Sequence, residues 1–331
     1  MYEHHPGRGT DPPGDLLARA LGEFRAALSG AESPGGSGAG VRSVRTAAGD
    51  PAYLKTTTAG PGLAAGRREL RFYRELAPTT PVRTPPLLGF LDDAEGVAIL
   101  LGAAGRPVEA GSWSPGLWAR LGRDLAALHD APLPADPYWA ARDPAALRRG
   151  SGDPAVARRW SGDPGGTRRD SAAPRRGSGG GGPSTADTGF WAGRLPGLDD
   201  LVADGARLRA ATTALPPVRT HGDCHAANLL HDGGSLTFCD WQSTGVGRPS
   251  ADLAFLSVRA TPSGSVVPPD LLDAYATARG CDRAVLGRAV LAEELTVFLA
   301  EWPAYARFQH PDGLDRVVRR TRLLARRWLA G

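Results

Sequence analysis

Lysine and asparagine are almost absent from this chain of 331 residues. Lys55 is the only lysine among 39 basic residues, and Asn228 is the only asparagine. The chain is rich in Ala, Arg, Gly and Pro, so one interpretation is that this biased composition left a single lysine and a single asparagine by chance. We favour a specific chemical role for each, since both lie in local contexts that suit a functional group.

Cysteine is also scarce, and Cys224, Cys239 and Cys281 show no CxxC spacing. They therefore indicate free thiols in a reducing cytoplasm rather than a disulfide framework or a zinc site. The first residues are polar and rich in Pro and Gly, so no signal peptide is predicted. No apolar stretch is long enough to cross a bilayer, and we expect neither a membrane nor a membrane partner.

The net charge of +4 is concentrated in one segment. Residues 141–187 hold nine Arg and five Asp, which leaves 30 basic and 30 acidic residues elsewhere. A charge confined in this way does not indicate a nucleic-acid partner. The segment has few large apolar residues and repeats Arg pairs, so we expect a disordered, low-complexity insertion; a basic tether for an anionic partner is the alternative.

Local patterns predict the order of the other elements. A disordered N-terminus over 1–14 precedes a helix from Asp15 to about Ser29, and a helix over 62–77 follows two strands. Further strands and helices follow, with a hinge at 102–105. The predicted strands are 41–46, 52–57, 87–91 and 97–101, and the later helices are 117–129, 271–279, 283–300 and 314–329.

The densest group of polar residues lies between Thr220 and Leu256. Within it, two short apolar runs flank the turn residues Asp232-Gly233-Gly234, which predicts a hairpin. A hairpin brings Asn228 and Asp240 together at its open end, with Asp223 in the loop just before. Two carboxylates and an amide oxygen at one strand end suit Mg²⁺, which prefers a few such ligands together with phosphates and water.

These residues resemble the motifs of the aminoglycoside phosphotransferase and choline kinase family. Asp223-Cys-His-Ala-Ala-Asn228 has the D-x₄-N spacing of kinases, and His221-Gly222-Asp223 is similar to the His-x-Asp of the family. Asp240-Trp241-Gln242 stands where protein kinases have Asp-Phe-Gly. The resemblance covers roughly residues 30–135 and 188–330.

The resemblance implies an α+β, bilobal protein-kinase-like fold. A small N-lobe over 15–104, with an antiparallel sheet and a helix, would bind the nucleotide. A larger, mainly helical C-lobe over 105–140 and 188–331 would carry the catalytic and substrate-binding residues.

The same resemblance implies a role for each site residue. Lys55 would hold the phosphates of ATP or GTP and pair with Glu69, and Asn228 and Asp240 would hold Mg²⁺. Asp223 would orient the acceptor hydroxyl and accept its proton, although His221 is an alternative base. His221 and Asp252 would support the catalytic loop, although Asp252 is alternatively an ordinary N-cap.

The remaining assignments are more open. Gly35, Gly36, Ser37 and Gly38 either lay backbone N–H groups over phosphates or form a linker. His225 supports the loop, lines the substrate site or is solvated.

The acceptor is expected to be a small molecule, because the 12 residues from Asp240 to Asp252 leave no room for an activation segment. A polycationic aminoglycoside would need acids, for which Glu293, Glu294 and Glu301 are candidates, with Trp302 and Tyr305 as lining; a solvated helix face is the alternative for Glu293 and Glu294. A kinase for an aminoglycoside or another antibiotic-like substrate is the leading hypothesis. A metabolic kinase for choline, an amino-sugar, a fructosamine or a nucleoside is the second, and a nucleotide-binding pseudokinase is the third.

Overall fold

The computed structural model describes residues 16–34, 40–60, 62–140 and 188–331. The glycine stretch Gly35–Gly38, the N-terminus 1–14 and the insertion 141–187 lie outside the described residues, so the predictions for them stay predictions.

A five-stranded antiparallel sheet dominates the first hundred residues. Its strand order is β1-β2-β3-β5-β4, and every neighbouring pair is antiparallel. The sheet is preceded by helix α1 (Leu16–Glu23), and helix α2 (Leu63–Glu75) connects its third and fourth strands. The strands are β1 (Ala27–Pro34), β2 (Gly40–Arg45), β3 (Pro51–Thr58), β4 (Leu87–Asp92) and β5 (Gly96–Gly102).

The two helices cover opposite faces of this sheet. Alternation along β5 sends Ala98 and Leu100 to the face packed by Leu16 and Ala20 of α1. Val97, Ile99 and Leu101 face the other way and pack in one cluster with Leu70, Phe72 and Tyr73 of α2. Both faces of β5 are therefore buried, which explains its uninterrupted apolar sequence.

The prediction of one helix from Asp15 to Ser29 is wrong at its C-terminal end. The helix ends at Glu23, and Arg25 has a φ of +48°, which turns the chain back. Ala27 and Leu28 then pair with Arg45 and Val44 as strand β1. Helical spacing of apolar residues was misleading here because pairing with β2 outweighs the local pattern. A strand does therefore precede the glycine stretch.

The rest of the described chain is mainly helical, with short strand pairs around the catalytic loop. The remaining strands are β6 (Arg106–Pro107), β7 (Val218–Thr220), β8 (Leu229–His231), β9 (Leu236–Phe238) and β10 (Gly245–Gly247). The remaining helices are α3 (Pro115–Asp130), α4 (Thr188–Trp191), α5 (Leu198–Ala203), α6 (Gly205–Thr212), α7 (Pro249–Ala260), α8 (Pro269–Arg279), α9 (Arg283–Thr296) and α10 (Pro311–Leu329).

Two apolar clusters hold this helical part together. One joins α3, α8 and the β8–β9 hairpin to α2 and β5, and so continues from the sheet into the helices. The other packs α4, α5, α6, α9 and α10 around three tryptophans with no exposed surface, Trp191, Trp302 and Trp328. The predicted helix 283–300 changes to a π-helix at Val297–Glu301, followed by a 3₁₀ helix at Trp302–Phe308.

The predicted hairpin is confirmed. Leu229 pairs with Phe238 and His231 with Leu236, in antiparallel register. Asp232 Oδ1 accepts hydrogen bonds from the backbone of Gly234 and Ser235, and Gly233 has a φ of +92°. An aspartate followed by a left-handed glycine is the turn chemistry expected at this position. Within the described ranges, no helix combines the length and apolar character needed to cross a membrane.

Candidate active site

Strand β3 and helix α2 position the only lysine. The ammonium of Lys55 lies 2.5 Å from Glu69 Oε2 and 2.8 Å from Asp240 Oδ1, and both carboxylates are almost completely buried. Burial by itself lowers the pKa of Lys55, but the charges of Asp240 and Glu69 and their hydrogen bonds outweigh it and raise that pKa. Lys55 is therefore a fixed positive charge at neutral pH.

The open end of the hairpin brings Asn228 and Asp240 together, as predicted. Asn228 precedes β8, and its carbonyl accepts a hydrogen bond from Cys239 N at 3.0 Å. Asp240 has a φ of +66°, which is rare for a residue with a side chain. Backbone strain of this kind at a polar residue is typical of functional sites.

Asp223 approaches the hairpin end through Asn228. Asn228 Nδ2 donates to the carbonyl of Asp223 at 2.9 Å and to its Oδ2 at 3.2 Å. The NH₂ group is used on Asp223, so the amide oxygen is the atom that can serve as a metal ligand. Asp223 retains a partly exposed carboxylate, with 21% of its side-chain surface accessible.

The donor set fits Mg²⁺. Asn228 and Asp240 offer oxygen ligands, and the described residues contain no cluster of three or more His, Cys, Asp or Glu side chains that could form a complete cage. Mg²⁺ commonly takes only one or two carboxylate ligands and completes its octahedron with substrate phosphates and water. Two protein ligands beside the Lys55 ammonium match that mode of binding.

Asp252 holds the backbone of the loop that leads into Asp223. Its buried carboxylate accepts hydrogen bonds from His221 N at 2.7 Å and from Gly222 N at 2.8 Å. Gly222 has a φ of +81°, and a Cβ there would lie 2.2 Å from the carbonyl oxygen of Ser243, so only glycine fits. Asp252 lies in the first turn of α7, which connects that helix to the residues just before Asp223.

A buried network behind Asp252 was not predicted from the sequence. His129 Nε2 lies 3.2 Å from Asp252 Oδ2, and His129 Nδ1 lies 2.7 Å from the hydroxyl of Tyr275. Burial alone raises the pKa of Asp252. The hydrogen bond and charge of His129, together with the electrostatic interaction and backbone hydrogen bond of His221, outweigh burial and lower that pKa. The only sequence signal was a histidine in the last turn of an apolar helix, which is also common in ordinary cores.

His221 is fully occupied as a structural residue. Its Nε2 lies 3.0 Å from the carbonyl of Cys239, and its Nδ1 accepts from Asp223 N at 3.3 Å. Since a carbonyl only accepts, the proton belongs on Nε2, and neither nitrogen is left to take a proton from an acceptor. This geometry favours Asp223 over His221 as the base.

Helix α2 is tied to the segment after Asp240 by two further residues that sequence patterns missed. Arg68 is buried and donates to the carbonyls of Thr244 at 2.7 Å and Tyr138 at 3.1 Å. Phe72 stacks on Trp241 with ring centroids 4.0 Å apart and planes 9° apart. The helix that carries Glu69 is thus held directly against the loop that carries Asp240.

A cavity of about 1140 Å³ lies beside the catalytic loop. His225, Ala226 and Ala227 of that loop form part of its wall. His225 is buried, packs near Phe255, and its Nε2 lies 3.8 Å from Asp223 Oδ1. Only the side chain of His225 therefore separates the cavity from Asp223. Because His225 is buried, the alternative that it is solvated is wrong.

The acids expected around an acceptor lie elsewhere. Arg248 pairs with Glu293 through two hydrogen bonds, at 2.9 and 2.6 Å, and Arg320 pairs with Glu294 at 2.8 and 2.9 Å. Both glutamates are buried, so neither lines the cavity and neither lies on a solvated face. Helix α9 turns them toward α7 and α10, which its sequence could not reveal.

Glu301 and Trp302 also lie outside the lining of this cavity. Trp302 has no exposed surface and packs in the cluster around α9 and α10. The expectation that Trp302 contacts an acceptor is contradicted, because a fully buried ring presents no surface to a ligand. Glu301 lies at the end of the π-helix and is partly exposed.

The fold and this arrangement of residues define a kinase-like small-molecule phosphotransferase, and the predicted fold class is confirmed. The profile of the phosphotransferase enzyme family, APH, matches residues 32–293, which is well over half of the chain. The chain belongs to this family, whose members are small-molecule kinases.

Solved structures of several family members have the same fold. The macrolide 2′-phosphotransferase MphH from Brachybacterium faecium is 20% identical, with a TM-score of 0.51 over 93% of this chain and 96% of that chain. An aminoglycoside phosphotransferase from Alicyclobacillus acidocaldarius is 15% identical, with a TM-score of 0.55 over 97% of both chains. A Plasmodium vivax ethanolamine kinase is 13% identical, with a TM-score of 0.55 over 94% of this chain and 83% of that one. No curated protein sequence gives a significant match.

Proposed function

We propose that this enzyme transfers the γ-phosphate of ATP or GTP to a hydroxyl group of a small, antibiotic-like molecule bound in the cavity beside His225. The observation that supports it most is the convergence of Lys55 of β3, Glu69 of α2 and the distant Asp240 next to Asn228 and Asp223. Phosphoryl transfer depends mainly on positioning and charge neutralisation, and this group of residues supplies both.

Lys55 binds the phosphates of the donor, and Glu69 keeps its ammonium in place. Asn228 and Asp240 would hold Mg²⁺, which would supply charge neutralisation on the donor phosphates. The glycine stretch Gly35–Gly38 follows β1 along the chain and covers the phosphates in this proposal. We place the boundary between the nucleotide-binding lobe and the catalytic lobe at residues 104–105.

Asp223 accepts the proton of the acceptor hydroxyl. The acceptor oxygen forms a bond to the γ-phosphorus, and the bond from that phosphorus to the bridging oxygen of the nucleoside diphosphate breaks. The diphosphate leaves with the bonding electrons, and the proton resides on a carboxylate oxygen of Asp223. The orientation of the Asp223 carboxylate is held by the hydrogen bond that Asn228 Nδ2 donates to it. The hydrogen bonds that His221 N and Gly222 N donate to Asp252 hold the preceding backbone.

The need for a nucleoside triphosphate and the three free cysteines favour the cytoplasm as the place of reaction. Antibiotic resistance is the role we propose, with a metabolic kinase as the alternative.

The substitution Asp223→Ala tests the mechanism. We expect loss of acceptor-dependent phosphate transfer with nucleotide affinity largely retained, because Lys55 and Asp240 remain. Release of nucleoside diphosphate over a panel of hydroxyl-bearing acceptors measures transfer, and calorimetry with a non-hydrolysable nucleotide measures binding. Asp199→Ala, at an exposed position of α5, is the matched control. Full activity of Asp223→Ala would refute the proposed base.

A further inference from the structure

The charges around the cavity beside His225 are balanced. Two carboxylates, Glu109 and Asp312, and two guanidinium groups, Arg259 and Arg316, contribute to the lining. Both acids are exposed at the rim, whereas both arginines are partly buried. Arg316 Nη1 donates to the carbonyl of Pro262 at 2.8 Å, which holds its positive charge at the wall.

A polycationic acceptor fits this lining poorly. Several ammonium groups would lose hydration on entering and would approach the two guanidinium groups of the wall. Only the exposed carboxylates of Glu109 and Asp312 would attract them. Like charges placed together at a binding site cost several kcal/mol, which amounts to roughly a hundredfold in affinity or more. The acids Glu293 and Glu294, which could have changed this balance, are already paired with Arg248 and Arg320.

The cavity is large and much of its wall is apolar. Its volume of about 1140 Å³ is slightly larger than is usual for small-molecule sites. Apolar surface comes from residues within 107–118 and 256–268, and the two aromatic residues, Trp113 and Trp118, are almost fully buried. These apolar lining residues include Val108, Trp113, Trp118, Leu256, Val266 and Pro268. A small amino alcohol would leave most of this volume filled with water.

Gln309 is the polar residue in the wall whose hydrogen bonds are incomplete. Both polar atoms of its side-chain amide are buried, and neither has a hydrogen-bond partner among the described residues. A buried amide without partners costs free energy, because its polar groups have lost their hydrogen bonds to water. A bound molecule with a carbonyl or hydroxyl group at this wall would remove that cost.

We propose that the acceptor is a bulky, largely apolar alcohol with at most one positive charge, and that Gln309 hydrogen-bonds a carbonyl or hydroxyl group on it. This inference rests on the proposed function, since it assigns the acceptor to the cavity next to Asp223. Within the antibiotic-like class, it favours such an alcohol over an aminoglycoside.

Acceptor binding and phosphate transfer are measured separately on the full chain. Erythromycin, rifampicin and novobiocin represent bulky apolar alcohols, kanamycin represents polycations, and choline represents small cations. Calorimetry without nucleotide measures binding, and nucleoside diphosphate release with Mg²⁺ and ATP or GTP measures kcat/KM. We expect at least one of the bulky alcohols to exceed kanamycin and choline about 100-fold in both measurements.

Two variants test the residues. Gln309→Ala is expected to raise the Kd and KM of the preferred alcohol about 3- to 10-fold. Arg307→Ala, two residues earlier in the chain but exposed and outside the lining, should not. Arg316→Gln is expected to lower the ratio of kcat/KM for the apolar alcohol to kcat/KM for kanamycin. Arg319→Gln, exposed on α10, should leave that ratio unchanged.

The outcomes separate this inference from the proposed function. Binding of a bulky alcohol that weakens in Gln309→Ala, without phosphate transfer, supports the acceptor class and refutes the proposed reaction at this cavity. Transfer to kanamycin or choline with a higher kcat/KM than to any bulky alcohol overturns the acceptor class and leaves the reaction intact. Failure of all three bulky alcohols to bind at millimolar concentration also overturns it.

Discussion

Replacing Asp252 by asparagine is the substitution for which the structure allows the most detailed expectation. The two side chains have nearly the same shape, so the change removes the charge and one acceptor while leaving the packing of α7 intact. The carboxylate uses separate oxygens on His221 N and Gly222 N, at 2.7 and 2.8 Å. An asparagine can accept only one of these bonds, and its NH₂ group then faces the other backbone N–H.

The cost can be estimated from this geometry. Losing a hydrogen bond to a charged group costs about 1.5–3 kcal/mol, and a buried N–H without a partner costs about 1–3 kcal/mol. The two contributions overlap, so we expect a loss of about 3–4 kcal/mol in the free energy of unfolding. For a chain of this size, that corresponds to a fall in Tm of about 4–6 °C. Asp199→Asn is the exposed control.

The same change should slow the reaction, because His221 and Gly222 lead directly into Asp223. A displacement of about 1 Å at a catalytic group can cost about 100-fold, so we expect kcat to fall about 10- to 100-fold. Nucleotide affinity should change much less, since Lys55 and Asp240 do not contact Asp252. Tm by calorimetry and kcat at saturating acceptor measure the two effects.

The pH dependence supplies an independent check. The pKa of Asp252 is lowered in the folded protein, so its stabilising contribution is complete above the ordinary carboxyl pKa of about 4 and disappears as pH falls through the lowered value. The difference in Tm between wild type and Asp252→Asn should therefore shrink as the pH falls below about 4. An unchanged Tm and kcat at pH 7 would show that the reasoning is wrong.

Two further predictions concern the phosphate side and the catalytic loop. Lys55→Met leaves Glu69 and Asp240 buried together without their cation, so we expect the free energy of unfolding to fall by about 3–5 kcal/mol at pH 7. The loss should diminish toward pH 5, because one carboxylate then takes up a proton. Denaturant unfolding measures it, and a loss independent of pH would contradict this reasoning. Gly222→Ala places a Cβ 2.2 Å from the Ser243 carbonyl at a φ of +81° and should lower both stability and kcat, with a stability cost of at least about 2–3 kcal/mol. Gly233→Ala has a φ of +92° but no atom within 4 Å of its Cβ, so a loss of only about 1 kcal/mol is expected, and equal losses in the two variants would refute the close contact.

Local chemistry made much of the site predictable. The turn residues of the hairpin determine which strand ends meet, and they place Asn228 beside Asp240 from only 12 residues of sequence. Alternation along β3 and helical spacing along α2 placed Lys55 and Glu69 on short, regular elements. The D-x₄-N spacing identified Asp223 because the loop between its two polar residues is short. The roles of these residues remain predictions, although their geometry agrees with them.

Other parts of the prediction failed where distant segments decide the outcome. The strand β1 depends on pairing with β2, which outweighed a helical pattern continuing to Leu28. Glu293, Glu294 and Trp302 have ordinary helical spacing, and only packing against α7 and α10 shows that they are buried rather than at an acceptor.

The sequence by itself therefore determined the class of chemistry, because the reacting groups lie in short motifs whose spacing is set by local backbone geometry. The tertiary structure alone decided how those groups are supported and which residues line the cavity beside His225. His129 and Asp252 are 123 residues apart and Arg68 and Thr244 are 176 apart, and no local rule predicts contacts over such separations. The cavity wall likewise combines residues from Pro107 to Arg316, so its charge balance and the incomplete hydrogen bonding of Gln309 exist only once the chain has folded.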